Sequence, residues 1–288
     1  MKNHRQLLAL LFCLAVTAIA PPLRAETVEL TLPSRLVARA EFRQGDADKP
    51  AVLLLHGFLQ THQFPTIHRL TDGLAGDGYT VLAPTLSLGL PYRAQSMACE
   101  AIHRHTVGDD VAELDAWVKW LKARKVKEIL LAGHSMGSIT SIAYLTGRPD
   151  RGVTRLIGIS IIEGSLKHGE QSRAPLIRRL RDEVRRGRRE VEQHQFSFCQ
   201  QYYSTPASLL SYLEWGPERI LAGIDRVKVP VSMIMGSRDD RLGADWIPRL
   251  RKTRARVIVI DGANHFMDGQ YEFDLYDQFL AEVKRPSR

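Results

Sequence analysis

Long apolar runs, internal repeats and cysteines are all scarce in this sequence of 288 residues. Its longest apolar run extends from Leu7 to Ala20, which is too short for a comfortable membrane span of about 20 residues. Repeats and low-complexity segments are absent. The chain that remains after removal of a leader is long enough for one large domain with a full hydrophobic core.

The amino terminus has the three parts of a secretory signal peptide. Lys2 and Arg5 precede the apolar run, and the segment ends at Leu23-Arg24-Ala25. We predict cleavage after Ala25, because cleavage after Ala20 would make Pro21 the first mature residue. An uncleaved anchor is the alternative. The predicted location is therefore the periplasm or the extracellular space.

The formal charge is positive, and it is spread along the chain except for one arginine-rich segment. Removal of residues 1–25 takes away three cations (Lys2, Arg5, Arg24) and no acid, so the charge falls from +8 to +5. In an exported protein, such charge favours contact with an anionic cell surface over contact with nucleic acid.

Cleavage would leave Cys99 and Cys199 as the only cysteines. In an oxidising compartment this pair suggests a disulfide, which would close a loop of about 100 residues and contribute up to ~4.7 kcal/mol in the chain-entropy model. Two free buried thiols are the alternative, because sequence spacing does not fix the distance between the two Cα atoms.

Short strand patterns alternate with helical ones, which predicts an α/β fold with a mostly parallel sheet. The first two runs, Val28–Leu32 and Leu36–Phe42, alternate apolar and polar residues and predict an antiparallel pair. The clearest helical pattern covers Val107–Ala123. Six further runs are short and aliphatic, as is typical of buried parallel strands: Ala51–Leu55, Thr80–Ala83, Glu128–Ala132, Leu156–Ile162, Val229–Met235 and Arg256–Ile260.

Residues 163–228 interrupt this alternation and have helical rather than strand character, which predicts an inserted lid over the carboxyl edge of the sheet. Within this segment an apolar stripe from Ile177 to Val191 indicates a basic amphipathic helix, which Gly187 would break in two. The favoured interpretation is a lid with solvated arginines. An interfacial helix attracted to anionic lipid or polysaccharide is the alternative. The arginines concerned are Arg178, Arg179, Arg181, Arg185, Arg186, Arg188 and Arg189.

One apolar run stops abruptly at Gly133-His134-Ser135-Met136-Gly137 and is followed by a segment compatible with a helix. This context of strand, turn and helix is typical of a nucleophile elbow, where the serine lies in a strained turn. The two glycines keep Cβ atoms away from the point where strand and helix nearly touch. The motif therefore predicts Ser135 as a nucleophile.

Three further apolar runs each lead directly into a glycine turn that bears a polar group. The first leads to His56-Gly57-Phe58, the second to Gly236 through Asp240, and the third to Asp261 through Phe266. The resulting order of serine, aspartate and histidine is the order of the α/β-hydrolase fold.

On these motifs the chain, from about Val28 to Leu280, resembles the α/β-hydrolase superfamily, in its branch of esterases, lipases and related acyl hydrolases with a lid. The resemblance implies a mostly parallel eight-stranded sheet with helices on both faces and a helical lid. It also implies a set of functional residues and no metal or other cofactor. These are Ser135 as nucleophile, His265 as general base and then acid, Asp239 as the orienting carboxylate, and the backbone N–H groups of Phe58 and Met136 as the oxyanion hole.

Two alternatives concern single residues. Asp240 or Glu163 could supply the acid in place of Asp239, because one is adjacent and the other follows a predicted parallel strand. His56 is expected to shape the oxyanion loop, and His134 is expected to pack within the elbow.

The loop from Ser87 to His105 contains residue types that also bind metals. Because His103 and His105 would point about 200° apart on a helix, we expect the loop to line the pocket mouth instead.

The sequence therefore predicts an exported serine hydrolase that cleaves carboxylic esters of a small-molecule or lipid-like substrate through an acyl-enzyme on Ser135. Imidazole suits this task because its pKa allows it to take the serine proton and return it to the leaving group. A thioesterase, an amidase or an acyltransferase could use the same triad. An inactive hydrolase scaffold that binds a ligand is the remaining alternative.

Overall fold

The computed structural model describes residues 25–147, 149–164 and 170–286, with the side chains of 170–172 left aside. The predicted signal peptide lies outside the described residues except for Ala25. Across these described ranges, no helix combines the length and the apolar character that crossing a membrane requires.

The chain alternates strands with helices, as predicted. The strands are β1 (Glu26–Thr31), β2 (Val37–Arg43), β3 (Ala51–Leu55), β4 (Thr80–Thr85), β5 (Ile102–His103), β6 (Ile129–His134), β7 (Val153–Ile159), β8 (Glu192–Phe196), β9 (Cys199–Ser204), β10 (Val231–Gly236) and β11 (Arg256–Ile260). The helices are α1 (Pro65–Gly76), α2 (Val107–Ala123), α3 (Met136–Leu145), α4 (Glu170–Arg185), α5 (Pro206–Leu213), α6 (Pro217–Arg226), α7 (Trp246–Leu250) and α8 (Tyr271–Val283).

Eight strands form one sheet in the order β1-β2-β4-β3-β6-β7-β10-β11. The β1–β2 and β2–β4 pairs are antiparallel, and the other neighbours are parallel. All eight strands predicted from the sequence belong to this sheet, and the opening antiparallel pair is confirmed. The predicted run Leu156–Ile162 is displaced, because β7 begins at Val153 and ends at Ile159.

Helices cover both faces of the sheet, which explains why the central strands are aliphatic throughout. In β3, Leu53 and Leu55 belong to the core that includes α2 and α3, whereas Val52 and Leu54 belong to the core that includes α1 and α8. Burial on both faces favours continuous apolar strands over alternating ones. The carboxyl ends of the parallel strands are thereby held rigidly at one edge of the sheet.

The predicted helix Val107–Ala123 has those bounds in the structure. It begins at a capping box, in which the N–H of Asp109 donates to Oγ1 of Thr106 at 3.2 Å and the N–H of Thr106 donates to Oδ2 of Asp109 at 2.8 Å. Trp117, on its apolar face, is fully buried.

The segment between β7 and β10, here called the insertion (163–228), contains α4, α5, α6 and the hairpin of β8 and β9. The expectation of helical rather than strand character was wrong for β8 and β9. Strand β9 pairs in parallel with β5, from a distant part of the sequence, and antiparallel with β8. Because such a short strand is stabilised by a partner far away in the sequence, its own residues show no clear strand pattern.

Helix α4 ends at Arg185, and Gly187 follows with a positive φ of 73°. The N–H of Gly187 donates to the carbonyl of Val184 at 3.0 Å, which closes the last turn. Glycine therefore ends the helix, and Val191 of the predicted apolar stripe lies beyond it.

Carboxylates of the insertion pair with several arginines on and near α4. Arg179 lies 2.8 Å from Glu192, and Arg181 lies 2.9 Å from Glu214. Arg185 and Arg188 also have acidic partners. This pairing lowers the free positive charge of the segment, which favours a packed insertion over an interfacial helix.

Cys99 and Cys199 form a disulfide, with 5.4 Å between their Cα atoms. It joins the loop before β5 to the first residue of β9, next to the pairing of these two strands. The structure therefore has the suggested disulfide, and not the alternative of two free buried thiols.

Candidate active site

The elbow lies between β6 and α3, at the carboxyl edge of the sheet. Ser135 has φ 54°, in the left-handed region that side chains rarely occupy. A Cβ atom on Gly133 would lie 2.3 Å from the carbonyl carbon of Gly137, and one on Gly137 would lie 2.6 Å from the carbonyl oxygen of His56. Both positions therefore require glycine, as the motif predicted.

Ser135, Asp239 and His265 come together at this edge although 130 residues separate the serine from the histidine. His265 Nε2 lies 3.0 Å from Ser135 Oγ, and His265 Nδ1 lies 2.7 Å from Asp239 Oδ2. All three residues are buried. The carboxylate accepts a hydrogen bond from Nδ1–H, so Nε2 is left to accept the hydroxyl proton.

Of the three candidate acids, Asp239 is the one that contacts the imidazole. Asp240 is exposed. Glu163 instead accepts a hydrogen bond from the N–H of Gly243 at 2.6 Å. The geometry therefore places Asp239, and neither alternative, in position to orient His265.

His134 packs within the elbow, as expected, and it also holds the loop of His265. Its Nε2–H donates to the carbonyl of His265 at 3.0 Å, and the two rings lie 5.1 Å apart between centroids. Burial, with the nearby His265, lowers the pKa of His134 to about 3, so the ring is neutral at physiological pH.

The two residues whose backbone N–H groups are predicted to form an oxyanion hole lie at the start of α3 and in the turn after β3. Met136 is the first residue of α3, where backbone N–H groups have no intrahelical acceptor. Phe58 lies in a turn held by two hydrogen bonds between Gly57 and Gln60, with lengths of 3.1 and 3.2 Å. Phe58 and Ser135 line the same cavity.

His56 holds the loop that contains Gly57 and Phe58, which the sequence analysis predicts to supply one oxyanion donor. Its Nδ1–H donates to the carbonyl of Gly57 at 2.8 Å, and its Nε2 accepts from the N–H of Leu86 at 3.0 Å. Burial, followed by the charge of Arg93, lowers the pKa of His56 to about 3. A neutral ring is what this donor and acceptor pattern requires.

Arg93 also holds this loop, and the sequence analysis missed it. The guanidinium is buried and donates through Nη2 to the carbonyl of Gln60 at 2.7 Å and to Nε2 of His56 at 3.1 Å. Its Nε donates to the carbonyl of Leu86 at 2.5 Å. Burial lowers the pKa of Arg93 to about 10, a value at which it is still charged at neutral pH. A lone arginine with backbone partners has no recognisable sequence motif.

The cavity above Ser135 has a volume of about 680 Å³. Among the described residues that line it, Phe58, Ile162, Phe198, Leu242 and Phe266 supply apolar surface, and Glu163, Arg238, Asp240 and Arg241 supply charge. None of the described lining residues comes from the loop 87–105, so the expectation that this loop lines the pocket mouth was wrong. The disulfide and the pairing of β5 with β9 connect this loop to the insertion instead.

His103 and His105 do not point apart, as a helix would require. The segment forms the short strand β5 instead, and the two ring centroids lie 6.1 Å apart. His105 Nε2–H donates to the hydroxyl of Tyr212 at 2.8 Å, and that hydroxyl donates to Asp110 at 2.8 Å. The sulfur of Cys99 is in the disulfide and is therefore not a thiolate ligand. Within the part of the chain that the structure describes, no three such side chains are grouped to hold a metal ion.

The sequence model of the alpha/beta hydrolase family matches residues 52–273. No curated protein matches the sequence.

Solved structures share the fold at low sequence identity. The alpha/beta hydrolase GrgF from Penicillium sp. sh18 has a TM-score of 0.70 at 17% identity, over 91% of this chain and 99% of that one. Est1E from Butyrivibrio proteoclasticus has a TM-score of 0.59 at 15% identity, over 90% and 98%. The thioesterase domain from the curacin biosynthetic pathway has a TM-score of 0.58 at 16% identity, over 91% and 100%.

Proposed function

The chain belongs to the alpha/beta hydrolase family, and from that premise we propose that it is an exported serine hydrolase that cleaves carboxylic esters through an acyl-enzyme on Ser135. One observation carries the proposal. Ser135, His265 and Asp239 form a continuous chain of hydrogen bonds, 3.0 and 2.7 Å long, at the base of a cavity.

In the proposed first step, Ser135 Oγ attacks the ester carbonyl carbon while His265 Nε2 takes the hydroxyl proton. The carbonyl oxygen becomes an oxyanion, which the N–H groups of Phe58 and Met136 stabilise by about 3 kcal/mol each. The bond to the alkoxy group then breaks, and the imidazolium returns its proton to the leaving alcohol. The ion pair with Asp239 stabilises the imidazolium while it exists.

The second step repeats this chemistry with water. Water attacks the acyl carbon and gives a proton to His265, the bond to Ser135 Oγ breaks, and the serine recovers its proton as the carboxylic acid leaves. No step requires a metal ion or an organic cofactor.

Two features support export. The first 25 residues have the pattern of a signal peptide, and Cys99 and Cys199 are joined in a disulfide, which is typical of oxidising compartments. Sequencing of the amino terminus of protein recovered from the periplasm or medium tests this part. A mature chain that begins at Glu26 is expected.

We further propose that the insertion acts as the lid predicted from the sequence. Phe198, from the turn between β8 and β9, lines the cavity and lies 5.9 Å from the ring of Phe58. An aromatic wall of this kind suits a small-molecule or lipid-like ester, whose acyl chain needs an apolar surface.

Thioesters, amides and transfer of the acyl group to a second alcohol are the nearest alternatives, because all share the acyl-enzyme. Hydrolysis of p-nitrophenyl esters of graded chain length, compared with a matched thioester and a matched anilide, separates ester, thioester and amide substrates. We expect the ester to have the highest kcat/KM. If wild-type protein hydrolyses no member of the series and is as inactive as Ser135→Ala, the result would support a ligand-binding protein instead of an enzyme.

A further inference from the structure

We infer that Arg241 is a specificity-determining residue, which selects ester substrates that bear a carboxylate. The inference rests on the proposed ester hydrolysis at Ser135 and adds the chemical class of the substrate. It concerns which esters the cavity accepts and leaves the triad chemistry unchanged.

Arg241 is two residues from Asp239, and its backbone N–H donates to Asp239 Oδ1 at 3.0 Å. Its side chain lines the cavity together with Ser135 and His265. Arg241 therefore borders the space that a bound substrate would occupy, on the turn that carries Asp239.

Two aromatic rings position this guanidinium. Its central carbon lies 4.7 Å from the ring centroid of Phe266 and 5.7 Å from the ring centroid of Phe198 in the insertion. Phe266 directly follows His265 in the sequence. Contacts between a guanidinium and aromatic faces restrain the cation without consuming its N–H donors. Arg241 is thereby held over the cavity with its hydrogen-bonding capacity retained.

Among the residues that the structure describes, no carboxylate lies within ion-pair distance of Arg241, whereas many other arginines of the chain have one. Glu163, which lines the same cavity, is engaged by the N–H of Gly243. Asp240 is exposed. An arginine without an acidic partner, restrained beside a nucleophile, is suited to a carboxylate from outside the chain.

Arg238 also lines the cavity, but no aromatic ring among the described residues holds its guanidinium. The net positive charge of the protein adds a weaker, long-range attraction for anionic substrates. Arg241 is therefore the residue that we expect to give most of the discrimination.

Two matched pairs of esters test the inference and distinguish the position of the carboxylate. On the acyl side, mono-4-nitrophenyl adipate is compared with 4-nitrophenyl hexanoate. On the alcohol side, 4-carboxyphenyl hexanoate is compared with phenyl hexanoate. For wild-type protein we expect the ratio of kcat/KM, anionic over neutral, to exceed one in at least one pair.

In Arg241→Gln this ratio should fall about tenfold, mainly through a higher KM for the anionic ester, because a charge-assisted hydrogen bond is lost. Arg241→Lys should recover part of the ratio, since it restores the charge without the planar fork. Arg238→Gln should change the ratio less. Arg151→Gln, in the loop before β7 and far from the carboxyl edge, is the matched control for loss of a positive charge and should leave both ratios unchanged.

The outcomes separate this inference from the proposed function. If the wild type hydrolyses the neutral esters with no preference for either anionic partner, or if Arg241→Gln lowers both members of a pair equally, the role of Arg241 is refuted and the ester hydrolase stands. If the wild type hydrolyses none of the four esters and no thioester, the proposed function itself fails.

Discussion

A serine hydroxyl is a weak nucleophile, so at the residue scale the proposed chemistry depends on how His265 is held. Asp239 holds it from one side at 2.7 Å, and His134 holds its carbonyl from the other at 3.0 Å. The imidazole is thereby fixed in the tautomer that faces Ser135 with a free lone pair.

Asp239→Asn should retain the fold but lower kcat for p-nitrophenyl butyrate by about 10³–10⁴-fold, because the amide favours the wrong tautomer of His265. Asp240→Asn and Glu163→Gln are matched comparisons at the two alternative acids, and each should lower kcat much less. Steady-state kinetics, with circular dichroism to confirm folding, measure this. A larger loss at Asp240 or Glu163 would transfer the orienting role to that residue.

Arg93 is expected to act as a positioning residue, because its buried guanidinium holds His56 and the carbonyl of Gln60 on the oxyanion loop. Arg93→Met should lower kcat roughly 10²-fold, because displacement of one oxyanion donor has an effect of this size. The change in KM should be smaller. Arg93→Lys, or guanidinium added to a variant with a small side chain at this position, should restore part of kcat.

A purely structural role for Arg93 predicts a different pattern. In that case the melting temperature would fall in every variant, and the lost activity would follow the fraction unfolded with no recovery on addition of guanidinium. Thermal unfolding of each variant, recorded beside its kinetics, decides between the two roles.

Ser135, Asp239 and His265 were predictable as candidate site residues because each lies in or just after a glycine turn that follows an apolar strand. Arg93 and Arg241 were not. Arg93 contacts His56 and the carbonyl of Gln60, and Arg241 contacts two aromatic rings, all from other segments of the chain. Such contacts impose no spacing on the residues near the arginine.

At the element scale, the disulfide joins the insertion to the body of the protein at a point next to the cavity. Cys199 follows Phe198, which lines the cavity, and Cys99 lies in the loop before β5. The bond therefore restrains the hairpin that supplies one wall of the proposed binding site.

Loss of this bond, in the Cys99→Ser/Cys199→Ser double variant, should lower the melting temperature by roughly 5–10 °C. This corresponds to about 2–3 kcal/mol, below the chain-entropy limit of ~4.7 kcal/mol. Turnover of p-nitrophenyl acetate should be nearly retained, whereas the kcat/KM ratio of a bulky ester to acetate should change. Abolished acetate turnover, or an unchanged ratio, would contradict the proposed restraint on the hairpin.

Elements of the main sheet were predictable because aliphatic runs and turn residues mark them locally, and α2 was predicted to its end residues. The hairpin of β8 and β9 was missed. Its strands are rich in glutamine, and they are stabilised by pairing with β5 and by burial of Phe196 and Tyr202, which the local pattern does not reveal.

At the scale of the whole molecule, a buried polar network connects the main domain with the insertion. Asp110 on α2 accepts a hydrogen bond from Tyr212 on α5, and Glu113 and Arg93 act on it at longer range. Burial is the largest effect and raises the pKa of Asp110 to about 8. In the unfolded chain this pKa returns to about 3.9.

The contribution of Asp110 to stability should therefore fall as pH rises from about 4 to 8, because over this window the unfolded chain releases the Asp110 proton that the folded protein keeps. Asp110→Asn removes this dependence. The difference in free energy of unfolding, variant minus wild type, should be greater at pH 8 than at pH 5 by roughly 1–4 kcal/mol. Urea unfolding at both pH values measures this, with Asp48→Asn as an exposed control. A constant difference would indicate that Asp110 has the same ionisation in both states.

Covalent labelling tests the central claim, nucleophilic catalysis by Ser135, most directly. The mature protein is treated with a serine-directed fluorophosphonate, and the adduct is located by peptide mass spectrometry. We predict one adduct per chain, on Ser135, formed in parallel with the loss of ester hydrolysis, and no adduct on Ser135→Ala that retains its fold. Full labelling of Ser135→Ala, or an adduct on another residue accompanied by loss of activity, would contradict the assignment.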